Sequence, residues 1–145
     1  MKNKIVTGFI IFLIWWLFFA PYIRDNTEVF DPNGPSLKAI AYSDPIGALI
    51  ALHVMYDTQT RVNKLNLSGK KYEAFRHIYF SSRLTHFIGK HRTQLFTDAY
   101  ERYNPNTKAC RDIDLSYNKI GRNFLRKNEK LTTQQLTNKI LIRIK

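Results

Sequence analysis

The chain has 145 residues, a formal net charge of +12, 44% hydrophobic and 14% aromatic residues, and one cysteine, Cys110. That apolar content excludes a disordered polyelectrolyte, and the length excludes a second domain of ordinary size once an apolar N-terminal stretch is set aside. The lone cysteine excludes an intrachain disulfide and a cysteine-rich zinc framework.

At the N-terminus, Lys2 and Lys4 precede an uncharged stretch from Ile5 to Ala20, and Pro21, Tyr22 and Ile23 extend it to nineteen residues before Arg24. This is close to the length that spans a hydrocarbon core. Phe18 and Pro21 flank Ala20 in a pattern that suits signal cleavage poorly, so the segment reads as an uncleaved signal anchor. Basic residues ahead of it place the remainder outside the cytoplasm, on the periplasmic or extracellular side. The expected organisation is a single-pass membrane anchor over residues 1–23, a linker over 24–42, and a basic helical domain over 43–145.

The linker assignment rests on the turn-forming run Asp31-Pro32-Asn33-Gly34-Pro35. Ser43-Asp44-Pro45 then reads as a helix start, with a capping side chain ahead of a first-turn proline. The first helix is predicted from Pro45 to about Lys64, with Ile46, Leu49, Ile50, His53 and Val54 turned inward. Asn66-Leu67-Ser68-Gly69 closes it. A second helix follows from Lys70 to Lys90 with Phe75, Ile78, Tyr79 and Phe87 inward, and a third from His91 to Tyr103 with Leu95, Phe96 and Ala99 as its stripe. Asn104-Pro105-Asn106 stops the third. A fourth is expected over about Asp112 to Lys127, with Ile113, Ile120 and Phe124 inside. An amphipathic fifth, Thr132 to Lys145, either packs on the bundle or lies along an anionic surface. The fold class is therefore all-α: an N-terminal transmembrane helix followed by a small bundle of four to five helices.

Charge is unevenly placed along this plan. Residues 1–59 hold four Lys or Arg against five acids, and residues 60–145 hold nineteen against six. Such an excess suits an anionic surface or an acidic polymer. A domain outside the cytoplasm rarely meets nucleic acid, which argues against that partner.

Chemistry-bearing residues fall in three blocks on predicted helices: Ala74 to His77, then Thr97 to Glu101, then Asp112 to Leu115 continuing to Asn118 and Gly121-Arg122. Glu73 and His77 are four apart, Asp98 and Glu101 three apart, Asp114 and Asn118 four apart, so each pair shares a helix face. Converging helices would gather a histidine for proton transfer with carboxylates to orient it. His77, Asp98, Glu101 and Asp114 are the catalytic candidates, and Arg76, Asn118 and Arg122 the anion-binding or supporting ones. A divalent metal suits a largely oxygen donor set with one imidazole, with His77, Asp98 and Glu101 as its ligands. The competing reading is a structural ion pair from Arg76 to Asp98 or Glu101.

From Tyr72 to Arg122 the chain resembles an uncharacterised bacterial and phage helical domain whose members read A-F-R-H, I-G, F-x-D-A-H-E and M-D-L-x-N-N-x-x-G-R. The matching residues are Ala74 to His77, Ile88-Gly89, Phe96 to Glu101, and Ile113 to Arg122. This resemblance implies one site built from Arg76, His77, Asp98, Glu101, Asp114 and Asn118. It also implies, through toxin-like members, a hydrolase acting on an envelope component or nucleic acid. The chain departs from the pattern at Tyr100, where histidine stands in the resembled domains, and at Tyr117, where asparagine stands.

Two functions follow as expectations. In the first, the membrane-anchored basic domain faces the envelope and binds a protein partner or an anionic component without catalysis, its polar residues locked in ion pairs with no pocket opening on them. In the second, the same residues form a concave hydrolase site, metal-dependent or not.

Overall fold

The computed structural model describes residues 32–125, 129 and 131–145. Among them the regular structure is entirely helical: α1 (Leu37–Ser43), α2 (Pro45–Leu65), α3 (Gly69–Ile88), α4 (Lys90–Tyr103), α5 (Lys108–Arg122) and α6 (Thr133–Arg143). The expected helical bundle is present. Within the stretch read as a linker, Leu37–Ser43 forms a helix, because the Ser36 hydroxyl caps the Ala39 amide just beyond the proline-rich turn.

The single-pass membrane location requires correction. Among the described residues no helix is long and apolar enough to cross a membrane. The two longest, α2 and α3, carry Asp57, Arg61 and Lys64, and Lys70, Lys71, Glu73, Arg76 and Arg83, respectively. The segment 5–23, on which the anchor and membrane contact were expected, lies outside the described residues.

Caps set the helix boundaries. Asp44 accepts from the Gly47 amide at 2.9 Å and starts α2 on Pro45. The same carboxylate takes a two-pronged hydrogen bond from Arg92 of α4, at 2.8 and 2.5 Å, so one buried acid both caps α2 and ties it to α4. Asn66, in the left-handed region at φ 49°, ends α2. Gly89 at φ +83° turns α3 directly into α4. Thr132 and Gln135 form a reciprocal capping box at the start of α6.

Helix α3 is buried around most of its circumference and serves two apolar clusters. Near its start Phe75, Ile78 and Tyr79 pack with Val62 of α2 and with Leu136 and Ile140 of α6. Near its end Leu84 and Ile88 pack with Ile40, Val54, Phe96 and Ala99. Helix α6 thus packs on the bundle.

Several expected core positions point outward. Ile46, Leu49 and His53 on α2, Phe87 on α3 and Ile113 on α5 are exposed. Apolar residues surround α2, so their spacing does not select a face, and the inner stripe is instead Gly47, Val54, Thr58 and Val62. Phe87 lies beneath the Arg83 guanidinium, 5.1 Å from its ring centre. The inner face of α5 is polar, comprising Asp114, Asn118, Gly121 and Arg122, which displaces Ile113 to the surface.

Helices α3 and α5 come into close backbone approach at Gly121. A Cβ there would lie 2.6 Å from the Ser81 Cβ and 2.7 Å from the Ile78 carbonyl oxygen. Ser82 donates a 2.9 Å hydrogen bond to the Gly121 carbonyl. A methyl group at this position has backbone in its way, so Gly121→Ala is expected to cost about 1–3 kcal/mol through forced separation of the helices. Chemical denaturation of wild type and variant measures this cost, and an unchanged midpoint would contradict the close contact.

Candidate active site

The close α3–α5 approach brings His77 of α3 against Asp114 and Asn118 of α5, and α4 adds Glu101. Each ring nitrogen of His77 has its own partners. Nε2 lies 2.8 Å from Arg76 Nη2, 3.3 Å from Asp114 Oδ1 and 3.7 Å from Glu73 Oε2. Nδ1 lies 3.2 Å from Asn118 Oδ1 and 3.6 Å from Glu101 Oε1. Arginine has only donors, so the Arg76 contact makes Nε2 an acceptor and leaves the proton on Nδ1, directed to Asn118. Asn118 Oδ1 also receives the Ser81 hydroxyl at 2.9 Å, and its Nδ2 donates to Glu101 Oε1 at 3.3 Å. A continuous chain thus runs Arg76, His77, Asn118, Glu101. Protonation at Nε2 would exchange Arg76 for Asp114, whose other oxygen is held by Asn106 at 3.2 Å.

Glu101 is 1% exposed, and its Oε2 has no hydrogen-bond partner. Burial pushes its carboxyl up to about 7; Asp114 and Asp98 push the same way, against Asn118 and Arg76. His77 is held below its usual value by burial and by the Arg76 charge, against Asp114, Asn118 and Glu73. Burial also raises Asp98, against the Arg122 guanidinium.

A groove with a cavity of about 400 Å³ opens on this cluster. Ala48, Ala51, Leu52 and Met55 of α2 form one wall, with Leu37 and Ala41 of α1 continuing it. Arg76, His77, Thr97, Glu101 and Asn118 lie at its polar end, beside Tyr100.

The predicted site residues therefore divide. Arg76, His77, Glu101, Asp114 and Asn118 form one connected cluster. Asp98 and Arg122 form another pair, 3.8 Å apart, with Gln94 donating to Asp98 and Arg122 donating to Thr97 Oγ1. They are not among the groove-lining residues. Arg76 pairs with Glu73 at 2.6 Å and not, as the competing sequence reading had it, with Asp98 or Glu101. Ser81 was not singled out in the sequence, and Asn106 was read only as part of a helix stop, not as a partner of Asp114. Ser81 was legible only as a residue four beyond His77, on the same helix face.

For a divalent ion, geometry favours Glu73, His77 and Asp114, whose ligand atoms lie within 4.8 Å of one another, over the expected His77, Asp98 and Glu101. Arg76 Nη2 already takes both Glu73 Oε2 and His77 Nε2. A metal would have to displace that guanidinium, so the donor set fits an internal cation better than an ion.

The raised Glu101 carboxyl has a thermodynamic consequence. The folded state keeps this proton up to about 7, whereas an ordinary glutamate loses it near 4.5. Its contribution to stability is complete below the ordinary value and is lost as pH rises through about 7. Glu101→Gln keeps an acceptor for Asn118 without the charge, so at pH 8 the variant is expected to be more stable than wild type by about 1–3 kcal/mol. At pH 4 the two should nearly coincide. His77 is present in both proteins, so thermal unfolding at the two pH values isolates Glu101, and a variant less stable at pH 8 would contradict the assignment.

No curated protein and no solved structure matches the chain. One family model matches residues 43–145, from the cap of α2 to the C-terminus, and so covers all of the cluster described above. On that match the chain belongs to the family described as Domain of unknown function (DUF6973).

Proposed function

We propose that the domain is a hydrolase in which Glu101 is the general base and Arg76 stabilises developing negative charge. The observation that carries this reading is the groove itself. A cluster serving only as an ion-pair lock has no need of a cavity, yet here about 400 Å³ opens on Arg76, His77, Glu101 and Asn118. Glu101 lines it with a carboxylate oxygen that has no hydrogen-bond partner, and a carboxyl pushed up to about 7 suits proton transfer at physiological pH.

The roles follow from the contacts. Glu101 Oε2 takes a proton from water as the water oxygen attacks, then returns it to the leaving group. Asn118 fixes the other carboxylate oxygen, and His77 orients Asn118 through Nδ1. Arg76 is the groove-lining cation. Asp114 lies 3.3 Å from His77 Nε2 and sets its charge balance. Tyr100, standing where the resembled domains carry histidine, lines the groove beside Glu101, so its departure from that pattern leaves the proton-transfer group in place.

Glu101 must be ionised to accept a proton, so kcat/KM should rise with pH through about 7. Glu101→Gln should lower it on the order of 10²–10⁴-fold while leaving the protein folded. The measurement is turnover of a panel of chromogenic carboxylic esters, amides and phosphodiesters by the full chain, from pH 5 to 9. Folded protein that turns over none of them, or equal rates in the variant, would overturn the reading.

A further inference from the structure

The hydrolase reading leaves the substrate open, and the groove narrows it. We propose that the substrate is a carboxylic ester with an unbranched acyl chain, the chain lying along the α2 wall and the ester carbonyl at the polar end between Arg76 and Glu101. This inference rests on the proposed function but makes a separate claim about binding.

Three observations carry it. First, much of the groove is apolar: Ala48, Ala51, Leu52 and Met55 form a wall without a polar side chain, and Thr58 and Gln59, the polar lining residues of α2, follow only beyond Met55. A peptide, sugar or nucleotide would set polar groups against that wall with no partner, each at a cost of roughly 1–3 kcal/mol. Second, two alanines one helical turn apart make the wall a trough, and methionine at its rim adapts to a flexible chain. Third, the polar end sets one arginine, Arg76, beside the carboxylates of Glu73 and Glu101, so it favours a substrate that is neutral when bound and gains negative charge only as it reacts. A neutral ester carbonyl suits that end better than a phosphodiester or a free carboxylate.

The step balances as ordinary ester hydrolysis. A C–O bond forms between water and the carbonyl carbon as Glu101 Oε2 takes the water proton. The tetrahedral oxyanion faces Arg76. The bond to the alcohol oxygen then breaks, and Glu101 returns the proton to it, releasing a carboxylic acid and an alcohol.

The test uses two matched series on the full chain: p-nitrophenyl esters with acyl chains of increasing length, for turnover, and methyl alkyl ketones of the same lengths, which carry the carbonyl but cannot be hydrolysed, for calorimetric binding. Ketone affinity should rise by up to about fourfold per methylene, the equivalent of 0.8 kcal/mol, until the groove is full, and then level off. Ala51→Leu adds volume to the wall on a half-buried helical position. It should bring the plateau to shorter chains and leave the shortest ketones unaffected. No dependence on chain length, or a plateau unmoved in Ala51→Leu, overturns the acyl-chain assignment. Length-dependent ketone binding without ester turnover upholds the groove and sinks the hydrolase. Turnover indifferent to acyl length upholds the hydrolase and sinks the groove.

Discussion

The contact between α3 and α5 at Gly121 is the constraint on which the rest of the molecule depends. Because residue 121 has no side chain, the two backbones come close enough for Ser82 to reach the Gly121 carbonyl. One turn earlier on α5, the same closeness places Asn118 against Ser81 and His77, and a further turn earlier it places Asp114 against His77. The spacing 114, 118, 121 is that of one helix face, so a single close approach aligns three contacts. A wider separation would leave Asn118 and Asp114 buried without their partners, a larger loss than the packing alone.

The cluster is held by interlocking polarity. Asn118 bridges His77 and Glu101, accepting from His77 and Ser81 and donating to Glu101. The Arg76 guanidinium does the same on the opposite side of the ring, between Glu73 and His77. Every polar atom of the imidazole is thereby used, and the atom left over is Glu101 Oε2. In a low-dielectric interior a satisfied network is rigid and an unsatisfied member is costly. This asymmetry is why we place the chemistry on Glu101 and assign His77 to positioning.

Much of this was legible in the residues, and what was not has identifiable causes. Helix starts at Asp44 and Thr132 were readable because caps are local chemistry. The burial of Phe75, Ile78, Tyr79 and Phe96 followed from spacing. The inner face of α2 did so only at Val54, because Gly47, Thr58 and Val62 complete it while Ile46, Leu49, Leu52 and Met55 point outward, which blurs the usual signal. The same difficulty hid α1 beside a proline-rich turn. Within the site, shared helix faces correctly paired Glu73 with His77 and Asp114 with Asn118. Spacing along one helix carries no information about which helix comes opposite, so Asp98 and Glu101, neighbours on α4, were grouped together although Asp98 belongs with Arg122 and Gln94.

The enclosure of the carboxylates changes how the molecule looks from a distance. Asp44, Asp98, Glu101 and Asp114 are buried, Asp57, Glu73 and Glu129 are half-buried, and among the described acidic residues Asp112 alone is exposed. Lysines and arginines, by contrast, dominate the outside. A solute within a Debye length, about 8 Å at physiological salt, therefore meets a field more positive than the composition suggests. That field is long-ranged in dilute buffer and contracts steeply as salt is added.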